Sequence, residues 1–163
     1  MSSYYDVAQI CLNGHLITNR YNDHPEHRKN FCEKCGESTI NKCPMCNKEI
    51  RGEHIVEDWM KIETGVFQSH FPYYCENCGS PYPWTTLKLE ALKELANEIK
   101  LPKGEKDLLI TSLPDLIADN PKTTVAVVRW KKALTFAGDT ILSAIKEILV
   151  DIISETVKKS LFG

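Results

Sequence analysis

Six of the seven cysteines in this chain of 163 residues fall in three C-x-x-C pairs, Cys32/Cys35, Cys43/Cys46 and Cys75/Cys78, and the seventh, Cys11, lies four residues before His15. No other feature constrains the fold as much. A C-x-x-C turn aims two sulfurs at one point, and two such turns close a tetrahedron of thiolate and imidazole donors around zinc. The residue after each second cysteine is Gly36, Asn47 or Gly79, small types that suit a tight backbone turn. Two closed sites need eight donors, and the seven cysteines with His15 supply them with none left over.

The expected ligands are Cys11, His15, Cys32, Cys35, Cys43, Cys46, Cys75 and Cys78, holding two structural Zn²⁺ per chain. Three pairings remain open. Sequential pairing joins Cys11, His15, Cys32 and Cys35 in one site and Cys43, Cys46, Cys75 and Cys78 in the other. A cross-braced arrangement joins Cys11 and His15 to Cys43 and Cys46. The third joins Cys32 and Cys35 to Cys43 and Cys46. An internal near-repeat favours the sequential order: Phe31-Cys32-Glu33-Lys34-Cys35-Gly36 resembles Tyr74-Cys75-Glu76-Asn77-Cys78-Gly79. Four protein donors per ion leave no open position for water, which argues against zinc hydrolysis. No nucleophile and base stand at a recognisable spacing, so the expectation is a non-enzyme.

An odd cysteine count and a start, Met1–Asp6, without basic or apolar character argue against a secreted disulfide scaffold. The chain is expected in the reducing cytoplasm, with no transmembrane segment. Metal loading changes its charge. Thiolates bind zinc, so seven of them with two dications would take the formal −2 to about −5. Residues 1–85 hold 8 Lys+Arg against 11 Asp+Glu, a poor match for phosphate backbones.

All cysteines and histidines precede residue 86, and helical periodicity follows it. The expected fold is therefore a small metal-organised β domain at 1–85, two tandem zinc ribbons, followed by an α-helical domain at 86–163. Short β pieces are expected around Ile10, Leu16-Ile17 and Ile50. Apolar spacing predicts helices over Leu87–Ile99 and Glu105–Ile117, the latter split by Pro114. A third helix should start at Asn120-Pro121 and run to about Phe136. A fourth, Thr140–Leu161, carries one long apolar stripe, readable as core, oligomer seam or membrane-surface face.

Several residues read either way. His24 and His27 read as part of a solvated loop, and His70 as a less suitable ligand than Cys78. Pro81-Tyr82-Pro83-Trp84 reads as packing rather than as a binding patch. Arg51-Gly52 reads as a turn, and Arg129-Trp130-Lys131-Lys132 as a solvated helical face.

The segments Ile10–His15, Phe31–Gly36, Cys43–Cys46, Ile50–Gly52 and Phe71–Trp84 together resemble an uncharacterised bacterial family of small double-zinc-ribbon proteins, a domain of unknown function. The likeness covers most of the chain, and the order of the knuckles with the Pro-Tyr-Pro-Trp ending carries most of it. The resemblance implies zinc, a bacterial source and the cytosol, and it implies no mechanism. The leading expectation is a zinc-stabilised adaptor that binds a protein partner, with a possible homo-oligomer through the C-terminal helices. Nucleic-acid binding is the alternative, and membrane-surface or oligomeric action through the last helix is the second.

Overall fold

The computed structural model describes residues 2–57 and 71–163. By internal contacts the chain divides into two compact units, Met1–Leu87 and Lys88–Gly163. Small β-sheets with cysteine-rich clusters make up the first unit, and helices the second.

Among the described residues the first unit has strands β1 (Ser2–Val7), β2 (Gln9–Cys11), β3 (Leu16–Thr18), β4 (Thr39–Ile40) and β5 (Arg51–Glu57). β2 is the middle strand of an antiparallel sheet ordered β3-β2-β4. β1 pairs antiparallel with β5, from Ser2 opposite Glu57 to Val7 opposite Arg51, with an irregularity between Tyr5 and Val7. This second sheet is absent from the sequence expectation. Its strands are far apart in the chain, and the run Ser2-Ser3-Tyr4-Tyr5 lacks the clean alternation that advertises a strand with one buried face.

Asp6 sits in that irregularity with its side chain buried. Its carboxylate accepts the backbone N–H groups of Val7 at 2.6 Å, Asn22 at 3.0 Å and Asp23 at 3.1 Å. Three charge-assisted bonds offset the cost of burying it, and they fix the loop after β3 onto β1. Gly52 meets the same junction. A Cβ there would lie 2.3 Å from the Asn19 carbonyl oxygen and 2.7 Å from the Val7 carbonyl carbon. Arg51-Gly52 is thus the start of β5 rather than a turn, and the glycine is required by close backbone approach.

The core of this unit joins Ala8, Ile10, Ile50, Tyr82 and Trp84 with Cys43 and Cys75. The Tyr82 and Trp84 rings stack with centroids 4.7 Å apart. Trp84 Nε1–H donates to the Pro72 carbonyl at 3.1 Å, and the Thr85 hydroxyl donates to the Tyr73 carbonyl at 2.7 Å. The Pro-Tyr-Pro-Trp segment therefore packs inward. A polar handle on an aromatic body needs such a partner when buried.

Six helices follow among the described residues: α1 (Pro83–Glu98), α2 (Lys103–Thr111), α3 (Leu113–Ile117), α4 (Thr123–Leu134), α5 (Asp139–Val150) and α6 (Glu155–Phe162). α1 starts four residues before the expected Leu87, with Pro83 as its first residue, where a missing N–H costs nothing. α2 and α3 are the two pieces expected around Pro114. α4 starts at Thr123 rather than at Pro121, because Asn120 Oδ1 accepts the Lys122 N–H at 2.8 Å and holds a turn there.

The expected single helix Thr140–Leu161 is two. α5 ends at Val150, and Ser154 caps α6 by accepting the Val157 N–H at 3.3 Å. Ile145, Leu149, Ile152, Ile153, Val157 and Leu161 are all buried, so most of the stripe serves as core. Trp130 is fully buried, while Arg129, Lys131 and Lys132 stand in solvent. No helix of the described residues is long and apolar enough to cross a membrane.

Candidate metal centres

Three of the four metal-type motifs are the same knuckle. In each, the first cysteine's N–H donates to the carbonyl five residues on: Cys32 to Glu37, Cys43 to Lys48 and Cys75 to Ser80, at 2.8 to 2.9 Å. The first cysteine's carbonyl accepts from Gly36, Asn47 or Gly79, at 2.7 to 2.9 Å. Those three residues have φ of +73°, +60° and +71°. The left-handed backbone explains why glycine or asparagine follows each pair. The motif at Cys11 differs. It is a β2–β3 hairpin in which Cys11 N–H donates to the His15 carbonyl at 3.0 Å and the His15 N–H donates to Cys11 Sγ at 3.2 Å.

The donors converge in sequence order. Cys11, His15, Cys32 and Cys35 bring their ligand atoms within 4.8 Å of one another, and so do Cys43, Cys46, Cys75 and Cys78. In the first cluster, His15 Nδ1 lies 3.5 Å from Cys11 Sγ and 3.6 Å from Cys32 Sγ, and Cys11 Sγ lies 3.8 Å from Cys35 Sγ. In the second, Cys43 and Cys78 are 3.8 Å apart and Cys46 and Cys75 3.6 Å apart, sulfur to sulfur. A tetrahedron with metal–sulfur bonds of about 2.3 Å has sulfur–sulfur edges of about 3.8 Å. The spacing is far beyond the roughly 2.05 Å of a disulfide. The donor sets and their edges fit zinc, and His15 would bind through Nδ1.

Burial follows one pattern in both clusters. Cys11, Cys32, Cys43 and Cys75 are buried, His15 and Cys46 half-buried, and Cys35 and Cys78 exposed. Each cluster therefore has one cysteine that is exposed as a residue.

Within the knuckles, backbone N–H groups and burial pull the thiols in opposite directions. At Cys75, hydrogen bonds from the backbone N–H groups of Cys78 and Asn77 bring the thiol down to about 6. Burial pushes Cys32 upward, but the N–H groups of Lys34 and Cys35 outweigh it, and the thiol sits at about 7. At Cys43 burial wins over the N–H groups of Met45 and Cys46 and pushes the thiol up to about 11. Burial raises Cys11 as well, while the Ser80 side chain and N–H lower Cys78. Each cluster thus combines a thiol lowered by backbone N–H groups with one raised by burial. Tyr82 packs on the second cluster. Its phenol is pushed up by burial and by a hydrogen bond to Cys75, an outer-layer contact of the kind that orients ligands.

The sequence reading missed Asp6 and Glu26; it read Tyr82 as packing but not its contact with the second cluster. Asp6 gives no local signal, since two of its three partners come from a loop 16 and 17 residues away. Glu26 lies between His24 and His27, and the three converge within 4.8 Å in what reads as a solvated loop. His54 faces Tyr5 across β1 and β5, with ring centroids 4.6 Å apart. His70 lies outside the described residues.

Residues 4–161 match the model of a family described as "Uncharacterized protein conserved in bacteria (DUF2321)". No curated protein and no solved structure matches the chain.

Proposed function

The chain belongs to the bacterial family DUF2321, and we propose that it acts as a non-catalytic, zinc-stabilised adaptor that binds a protein partner. In this reading Cys11, His15, Cys32 and Cys35 hold one structural Zn²⁺ and Cys43, Cys46, Cys75 and Cys78 the other. Residues 1–85 form the double-ribbon domain, residues 86–163 the helical one, and the protein works in the cytoplasm. The observation that carries the proposal is the full set of four protein donors around each centre. Such centres supply folding energy and leave no corner for a reacting water.

Two features support a protein partner. Phe31 and Met45 stand on the knuckles at 66% and 73% exposure, side-chain types that interfaces favour. The acidic balance of residues 1–85 disfavours nucleic acid.

The test begins with elemental analysis of the purified chain, which should give two equivalents of zinc. Full-length chain and an F31S/M45S variant then serve as baits in lysate of the native host, with nuclease added. A protein retained by the first and lost by the second supports the adaptor. One equivalent of zinc, or recovery of nucleic acid alone when nuclease is omitted, overturns it.

Oligomerisation through the helical unit is the second reading. Leu108 on α2 and Val125 and Val128 on α4 are 53%, 50% and 64% exposed, which would place a seam there rather than on the last two helices. Sedimentation equilibrium of wild type against V125S/V128S tests it, with a shift to monomer in the variant expected and a monomeric wild type fatal.

A further inference from the structure

The loop after β3 holds a second kind of metal-type cluster. Glu26 and His27 lie on a short 3-10 turn, Pro25–His27, and His24 immediately precedes it; each offers a ligand atom within 4.8 Å of the others. His24 Nδ1–H donates to Glu26 Oε1 at 2.8 Å, since a carboxylate can only accept. The two imidazoles stack, with centroids 5.1 Å apart and planes 17° apart.

The backbone beneath these side chains is held in place from several directions. Buried Asp6 accepts from Asn22 and Asp23, and the Tyr21 N–H donates to the Val7 carbonyl at 2.9 Å. His24 N–H donates to the Arg20 carbonyl and His27 N–H to the His24 carbonyl, at 2.9 and 3.0 Å. Arg28 closes the loop, its Nε–H donating to the Tyr21 carbonyl at 2.8 Å and its guanidinium lying 4.1 Å from the Tyr21 ring centre. Pro25 fixes the backbone at the start of the turn. Much of the ordering cost of gathering three donors is thereby met by the fold itself.

We propose that His24, Glu26 and His27 form a third metal site, open and exchangeable, for a borderline divalent transition ion such as Zn²⁺ or Ni²⁺. Two imidazoles and one carboxylate suit that class of ion, whereas Ca²⁺ and Mg²⁺ prefer sets of oxygen donors. With three protein donors, the ion keeps at least one position for water or for a donor from another molecule. The site differs in kind from the thiolate clusters, which are saturated. The hydrogen bond from His24 and the backbone N–H of Glu26 keep that carboxyl below its usual range, so it is ready as an anion.

The site is tested on full-length protein with both cysteine clusters loaded with zinc and loose metal removed by gel filtration. Titration with Ni²⁺, and separately with Zn²⁺, in a calorimeter should show one further equivalent of binding, and Mg²⁺ should show none. H27A and H24A should each weaken that equivalent at least about tenfold, and E26Q by a smaller factor. All three side chains are on the surface or near it, so the variants should keep the fold, checked by circular dichroism. H54A, outside the cluster, should bind as wild type. Absence of the further equivalent in wild type, or its survival in an H24A/H27A double variant, overturns the proposal.

Discussion

At the scale of single residues, the first unit depends on a few positions where backbone segments meet. Gly52 is one. Alanine there would push a Cβ to 2.3 Å from a backbone oxygen and 2.7 Å from a backbone carbon, and neither belongs to a flexible side chain. β1, β5 and the loop after β3 would all have to move. G52A is expected to destabilise the first unit by about 2 kcal/mol or more, the upper range for overpacking. Chemical denaturation followed by the fluorescence of Trp84, with Trp59 and Trp130 replaced by phenylalanine, reads that change, and a midpoint equal to that of the W59F/W130F parent would contradict it.

At the scale of elements, the recurring knuckle makes a prediction about reactivity. Each cluster has one exposed cysteine residue, Cys35 and Cys78, each the second cysteine of its knuckle. With metal partly stripped, a thiol alkylating agent should label these two before Cys11, Cys32, Cys43 and Cys75. Mass spectrometry of the labelled peptides over time gives the order, and early labelling at a buried cysteine would speak against the geometry described. A second element-level prediction concerns α6. Ser154 caps it by accepting the Val157 N–H, and caps of this kind contribute about 1 kcal/mol. S154A should lower the stability of the helical unit by about that amount, seen as a shifted urea midpoint in far-ultraviolet dichroism. An unchanged midpoint would mean that α5 and α6 are separated by packing alone.

At the scale of the whole molecule, the proposed zinc centres would give the two units different sources of stability. The core of the first is small, and two of its buried members are themselves cysteines of the second cluster, Cys43 and Cys75. Structural zinc supplies an apparent folding free energy of about 10–16 kcal/mol, as much as the whole stability of a typical domain. The second unit buries leucine, isoleucine, valine, alanine and tryptophan side chains from all six helices or the turns between them. A strong chelator is therefore expected to strip amide-exchange protection from Ile10, Ile50 and Tyr82, whose N–H donates to the Tyr73 carbonyl at 3.0 Å, while Leu116, Trp130 and Leu149 keep theirs. Hydrogen exchange at those residues is the measurement. Retained protection at Ile10 and Ile50 in metal-free protein would show that the first unit folds without metal.

What the sequence settled by itself is whatever local chemistry encodes. A C-x-x-C pair followed by a residue that tolerates positive φ specifies a knuckle almost independently of its surroundings, so the turns at Cys32, Cys43 and Cys75 were legible. Helix-period apolar residues likewise marked the second half. Only the tertiary structure could decide which knuckle meets which, because any two turns present the same pair of sulfurs. The same holds for the pairing of β1 with β5, for the burial of Asp6 and for the gathering of His24, Glu26 and His27 on one loop. The break between α5 and α6 belongs here too, because a stripe of 22 residues, Thr140–Leu161, reads as one helix until Ser154 finds the Val157 N–H. In each case the deciding contact is made by groups whose meeting depends on where the rest of the chain has gone, and a local pattern carries no record of that.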